Sequence, residues 1–465
     1  MIPFGHRAEP MVDAYLIETM EGLSFRYTPP QKRGCALAYD RPWENPGSCI
    51  HSVLEDDENI KLYYRGYRRD PYQPVSENNF DTACLAVSKD GIHFERAALR
   101  QIEFDGSLEN NILSALKGHG GDVNVSLGDI NAFYDTNPAC KPEEKYKLVT
   151  VVQDHKGMYK YTLYAYCSAD GIHWRKMSDV PVCTKGELDT WPISFWDAHA
   201  GLYRCYSRYF DDHGAYSRAW GQGIRAIQSC VSTDFIHWSE PVFNQYEEGI
   251  HDHLYTCSAV PMPGAEHVLM CMSMRFWFER IKVRNDTEYH GHPNGVSDAI
   301  FMTSRNGVNW DRTIQDAWLT AGPCDHEWTQ RNFIVGGGVI ERGNDCLFYV
   351  NQNYMWDDES LWVYSVPRLR FMGLHADAKG GCFLTKDLHF RWDDICLNYA
   401  TSAYGHVKVT VLDADGQEMY ASEEIYGNEF SHCIHVPGLA AARGRLKIEM
   451  KEATLYAIGG HMEKD

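Results

Sequence analysis

Apolar and polar residues alternate along this chain in short runs of period two, and the spacing of an amphipathic helix is scarce. Runs such as "YKYTLYAYC" before Ser168 and "RAIQSCV" before Ser232 put every second side chain on one face, the signature of a half-buried strand. Runs of this kind end in nearly the same phrase. Residues 88–94 read SKDGIHF, 168–174 SADGIHW, 232–238 STDFIHW and 304–310 SRNGVNW. The phrase has the chemistry of a turn: Ser and Asp hold nearby backbone amides, Gly supplies positive φ, and the aromatic anchors the turn against a sheet. Its role is structural, and catalysis is not expected at its Asp or Asn.

The four phrases start at Ser88, Ser168, Ser232 and Ser304, spaced by 80, 64 and 72 residues. Antiparallel units of about 70 residues, four strands each, predict the blades of a β-propeller. Residues 38–385 accommodate five such units. With four phrases visible, the fifth blade lacks the phrase or is closed by both chain ends. "DCLFYVNQNY" and "SLWVYSVPRLRF", within 345–371, supply two of its strands. Past residue 386 the alternation "HVKVTVLD", the turn signal "DADGQ" at 413–417 and the closing "GRLKIEMKEATLYAIGG" predict a small β-sandwich. The expected organisation is all-β: an N-terminal extension (1–37) whose stretch 13–35 offers the sandwich another strand, a five-bladed propeller (38–385) and a C-terminal sandwich (386–465).

Charge narrows the partners. Asp plus Glu number 64 against 44 Lys plus Arg, a formal net charge of −20, which argues against nucleic acid or an anionic membrane surface. No apolar run approaches the roughly 18 residues that span a bilayer, and "MIPFGHRAEPMVDAYLIETM" lacks the pattern of a signal peptide. The 15 cysteines include no CxxC pair, and Cys84, Cys167, Cys205, Cys230 and Cys271 sit in apolar runs. Reduced, buried thiols in a cytoplasmic protein are therefore expected, rather than a disulfide frame or a zinc site. No cofactor is expected. Aromatics make up 13% of the chain, which suits both β-cores and sugar sites.

A propeller's inner strands surround a central channel and begin on one rim, so acids just ahead of them are the candidates for chemistry. Five fit: Glu44 in "RPWENPGS", Asp129 in "LGDINAFY", Asp189 in "GELDTWPISFWD", Asp252 in "IHDHLYT" and Glu327 in "DHEWTQRNF". Converging carboxylates suit glycosidic cleavage, which needs one group to protonate the leaving oxygen and one to attack or to activate water. Glu44, Asp189 and Asp252 are the first choice, with Glu44 as base or nucleophile; Asp129 and Glu327 stand in reserve. Trp43, Trp191, Tyr255 and Trp328 are candidate platforms for sugar rings, and His253, Arg275, Arg331 and Asn332 candidate polar contacts. "HDHL" at 251–254 and "HGH" at 290–292 are the only hints of a channel cation such as calcium. "GGG" at 336–338 lacks the helix of a phosphate loop.

These turns, acids and trailing strands resemble the five-bladed propeller glycosidases of the invertase, fructosidase, arabinanase and xylosidase types. "RPWE", "WDAHAGLYRCYSR", "DFIHWSEP", "HLYT", "FMTSRNGVNWDR" and "LNYATSA" look most like uncharacterised bacterial invertase-like proteins, over roughly residues 38–460. The resemblance implies an oligosaccharide or glycoside substrate. It also implies departures. Glu44 stands where invertase-type enzymes carry an Asp nucleophile, "RDP" occurs only at Arg69–Asp70–Pro71, and the E-C motif is absent. Fructoside specificity is not carried over. A glycoside phosphorylase using Arg275, Arg331 and His253, or a sugar-binding protein using the aromatics alone, are the competing expectations.

Overall fold

The computed structural model describes residues 1–44, 46–68, 80–117, 129–154, 160–189, 191–217, 222–247, 252–283 and 295–460. Five antiparallel sheets form the blades of a propeller. Their inner strands are Cys49–Glu55, Ala132–Tyr134, Ile193–Asp197, the pair His253–Leu254 and Ala259–Met262, and the pair Ile334–Val335 and Ile340–Arg342. The next strands outward are Ile60–Arg68, Tyr146–Asp154, Leu202–Asp211, Ala265–Trp277 and Asp345–Gln352. In the fourth blade the run His267–Met274 is buried throughout, because that strand is covered on both faces by neighbouring blades. Burying each of its large apolar side chains, Val268, Leu269, Met270, Met272 and Met274, contributes roughly 1.5–3 kcal/mol.

The repeated phrase makes the turn it predicts. Oγ of Ser88, Ser168, Ser232 and Ser304 accepts the amide of Gly91, Gly171, Phe235 and Gly307 at 2.8–2.9 Å. Oδ1 of Asp90, Asp170 and Asp234 takes the next two amides, and Asn306 does the same in the fourth copy. Phe235 adopts the glycine conformation, φ 64°, with its ring fully buried. Since strands alternate in direction, these turns lie at the end of the blades opposite the inner-strand starts.

The fifth blade has no such turn. Its outer strand is Gln31–Ala38, from the N-terminal end of the chain, paired antiparallel to Ser360–Pro367. The triple glycine belongs to close packing: a Cβ on Gly337 would stand 2.8 Å from Ile193 Cδ1, and one on Gly336 2.5 Å from Ile50 Cδ1.

The remaining strands build one large sheet around the long antiparallel pair Asp394–Asp413 and Arg443–Gly459. Val407, Val409 and Val411 face Met450, Ile448 and Leu446 in register, all buried, while alternate positions are polar. Met372–Ala376 and Gly381–Thr385 belong to this sheet, as do Ile2–Phe4, Ala8–Pro10, Ile17–Glu21 and Leu23–Tyr27. The N-terminal stretch is therefore divided between the two units. Glu9 ties them together: it is buried, pairs with Arg7, and meets His267 at 3.1 Å and Arg305 at 3.0 Å across the joint.

The cysteines need one correction. Cys396 and Cys433, partners on adjacent strands, form a disulfide; the pair was hidden in sequence because register, not spacing, brings it together. The other cysteines are free thiols, most of them buried.

Candidate active site

The channel narrows to a cavity of about 50 Å³, lined by residues of all five blades that include Ser52, Asn131, Ser194, Ala259 and Gly337. The inner strands begin at its mouth, so residues just ahead of them are the ones to compare.

Three arginines converge there. Arg208, buried on the third blade's second strand, ion-pairs with Asp189 through Nη2 and Oδ1. Its guanidinium carbon lies 5.1 Å from the ring of Tyr255, with Arg331 at 5.3 Å and Arg225 at 5.5 Å. Arg331 Nη1 also donates to Tyr354 Oη at 3.0 Å. The Nε of each arginine is buried with no partner among the described residues. Burial pushes the Tyr255 phenol up, but Arg331, Arg208 and Arg225 outweigh it and bring it below the ordinary tyrosine value.

On the neighbouring side, Asp129 Oδ1 lies 3.7 Å from His51 Nε2. His51 is held to a pKa of about 3 by burial and by Arg65, so its imidazole is neutral. Its ring packs 4.8 Å from Trp191, two residues after Asp189. Trp191 is only 5% exposed, so it props up the site from below and offers no open face to a sugar. Trp191 and Arg331 both hold positive φ, 45° and 56°, a strained conformation that persists where packing over-determines it.

Of the residues picked from sequence, the structure thus gathers Asp189, Asp129, Trp191, Tyr255 and Arg331 at the mouth. His253 stands beside them, its Nδ1 3.3 Å from the Arg225 amide. The others are placed elsewhere. Glu44 is 1% exposed, and its carboxylate takes Arg96 Nε at 2.9 Å and Nη2 at 2.6 Å, plus the Tyr64 hydroxyl. A carboxylate so enclosed has no face for a glycosidic oxygen. Its neighbour Trp43 donates to Asn111 and is core. Asp252 bonds Arg312 at 2.7 Å and lies 3.4 Å from Arg275, which forks onto Asp298, so its carboxylate is already held between two arginines. Glu327 accepts the Gly322 amide, Trp328 donates to the Gly322 carbonyl, and Asn332 bonds the Thr329 and His326 carbonyls, so all three stitch one loop. An acid ahead of an inner strand can thus close its own loop as easily as point inward.

Sequence reading missed Arg208, Arg225, His51 and Tyr354, because it searched only strand starts. A signal existed: an arginine inside an otherwise apolar run, as in "LYRCYSRYF", needs a buried partner. Among the described residues no group of three or more His, Cys, Asp or Glu could hold a metal ion. His251, the HGH pair at 290–292 and Arg69–Asp70–Pro71 lie outside the described residues.

No family model matches this chain, and no curated protein does. Solved structures that overlap it include an N-acetylgalactosamine deacetylase from F. plautii, at 15% identity over 74% of this chain and 95% of that one, TM-score 0.43. A glycoside hydrolase overlaps at 10% identity over 74% and 94%, TM-score 0.42. A glycosyl hydrolase from Bacteroides ovatus does so at 12% over 76% and 97%, TM-score 0.37. Overlap this loose carries no argument about what the chain does.

Proposed function

We propose that the channel mouth cleaves a glycosidic bond, with Asp189 and Asp129 as its carboxylates. The observation that supports this reading is their placement: two acids from adjacent inner-strand starts flank the His51–Trp191 pair at the mouth of a propeller. Asp129 would give its proton to the leaving oxygen as the bond from the anomeric carbon breaks. Asp189, oriented by Arg208, would attack that carbon or take the proton of the water that adds to it. The catalytic pair thereby moves away from Glu44 and Asp252. The test is a panel of aryl furanosides and pyranosides: Asp189→Asn and Asp129→Asn should each lose at least ~100-fold in turnover while Glu44→Gln acts only through stability. Near-normal rates in both Asp variants would sink the assignment.

The arginines favour a second reading, phosphorolysis. Arg225 and Arg331 converge on the Tyr255 ring and have no carboxylate ion pair among the described residues. Inorganic phosphate, in place of water, is an acceptor those donors would hold. Turnover that requires phosphate and is lost in Arg331→Met would establish it; phosphate-independent turnover would dismiss it.

A further inference from the structure

The mouth is cationic in a molecule whose formal net charge is −20. Arg208 has Asp189 as its counter-ion, whereas Arg225 and Arg331 have no carboxylate ion pair among the described residues. What surrounds these two is imidazole, phenol and aromatic ring. Arg225 Nη1 lies 3.4 Å from His253 Nδ1, and its guanidinium carbon stands 5.1 Å from the Phe210 ring and 5.5 Å from those of Tyr255 and Phe276. Arg331 has the Tyr354 hydroxyl and the rings of Tyr255 and Tyr354. Burial, and next Arg208, push the Arg225 guanidinium below its ordinary value, and Arg331 acts in the same direction. Like charges held out of water repel one another, and an anion between them removes that cost. Arg225, Tyr255 and Arg331 are each only partly buried, so an anion can reach them.

The neighbouring surface bears on what carries the anion. Phe278 is 45% exposed and packs edge-on against His253 at 5.2 Å between ring centroids, and Trp277 before it is 39% exposed. An open aromatic face gives a sugar ring apolar contact and gives a free phosphate nothing. A carboxylate is planar and matches the parallel N–H groups of a guanidinium. We propose that Arg225 and Arg331 hold the carboxylate of an acidic sugar, a uronosyl residue whose ring packs on Phe278. The inference rests on the reading of the mouth as a glycoside-cleaving site and narrows its substrates to acidic glycosides. It departs from phosphorolysis in that the anion arrives on the sugar.

The experiment is calorimetry on the full chain carrying Asp129→Asn, a background chosen because Asp189 is itself the partner of Arg208. The probes are para-nitrophenyl glycosides of glucuronic and galacturonic acid in both anomers, the same glycosides of glucose and galactose, and sodium phosphate alone. At least one uronide should bind about tenfold or more tighter than its neutral parent, a preference that the overall charge of −20 opposes. Arg225→Met and Arg331→Met should each abolish that preference, while Arg225→Lys, which keeps the charge, should retain part of it. Arg225→Met should melt no lower than its parent, since it relieves a repulsion. Phe278→Ala should weaken uronide binding about threefold or more and leave any phosphate binding unchanged. A preference that survives in both Arg225→Met and Arg331→Met overturns the proposal, and so does a panel in which no uronide gains over its parent. Phosphate that binds through the arginines in such a panel assigns the anion to phosphorolysis. The two readings fail separately. Wild-type turnover of neutral aryl glycosides without a uronide preference removes the acidic sugar and leaves the mouth, whereas arginine-dependent uronide binding with no turnover on any glycoside or uronide does the reverse.

Discussion

Burial by itself would hold the Tyr255 phenol above the ordinary tyrosine value of about 10, yet three guanidiniums reverse the direction. The sign has a consequence. A phenol whose pKa is lower folded than unfolded releases its proton earlier in the native protein. Its contribution to stability is present above the unfolded value and lost as pH falls through the folded one. Titrating the phenolate absorbance of wild type against Tyr255→Phe should show one group ionising below about 10 in the native state. A difference spectrum that titrates at or above that value would mean that the arginines do not act on this ring. A phenolate held among arginines would also compete with any anion for them, so phosphate, if it binds there, should push the titration upward.

At the scale of elements, the blade turns show what a short phrase can and cannot do. Asp170 accepts the Ile172 and His173 amides at 2.8 Å and meets His173 Nδ1 at 2.7 Å. Replacing it with Ala should cost about 1 kcal/mol, as losing a cap does, and leave kcat unchanged because the turn is remote from the mouth. A kcat that falls with stability restored by lower temperature would contradict that remoteness. The blades were legible because this turn repeats and because period-two runs precede it. The outer strand of the fifth blade was not, since "QKRGCALA" carries little alternation and finds its partner at Ser360–Pro367. The site was half legible for a similar reason. Position along a strand places Asp189, Asp129, Tyr255 and Arg331 on one rim. Whether a side chain turns inward is decided by neighbours such as Arg96 beside Glu44, which lie far off in sequence.

For the molecule as a whole, the joint between propeller and sandwich carries a pH dependence. The Glu9 carboxyl is brought down to about 2: burial opposes this, but the His267 hydrogen bond and the charges of His267 and Arg305 outweigh it. Its stabilisation is therefore complete above about pH 4.5 and lost as pH falls from there to about 2, on the order of 3 kcal/mol. Urea unfolding of wild type and Glu9→Gln should differ at pH 7 and converge toward pH 2. A gap that stays constant across that range would place the coupling elsewhere.

The N-terminal strand that completes the fifth blade also sets a timetable. Lys32 meets Gln352 across that blade from 320 positions away, so a ribosome releases one half of the seam long before the other exists. Until then the strand must wait unpaired, and the first blade lacks a neighbour on one flank. Arg331 and Tyr354, among the last propeller residues to emerge, sit in that late blade and complete the cationic mouth. On the proposed function, the nascent chain stays inert until the ring is sealed, and slowing elongation late in the message should delay glycoside turnover more than it delays β-structure.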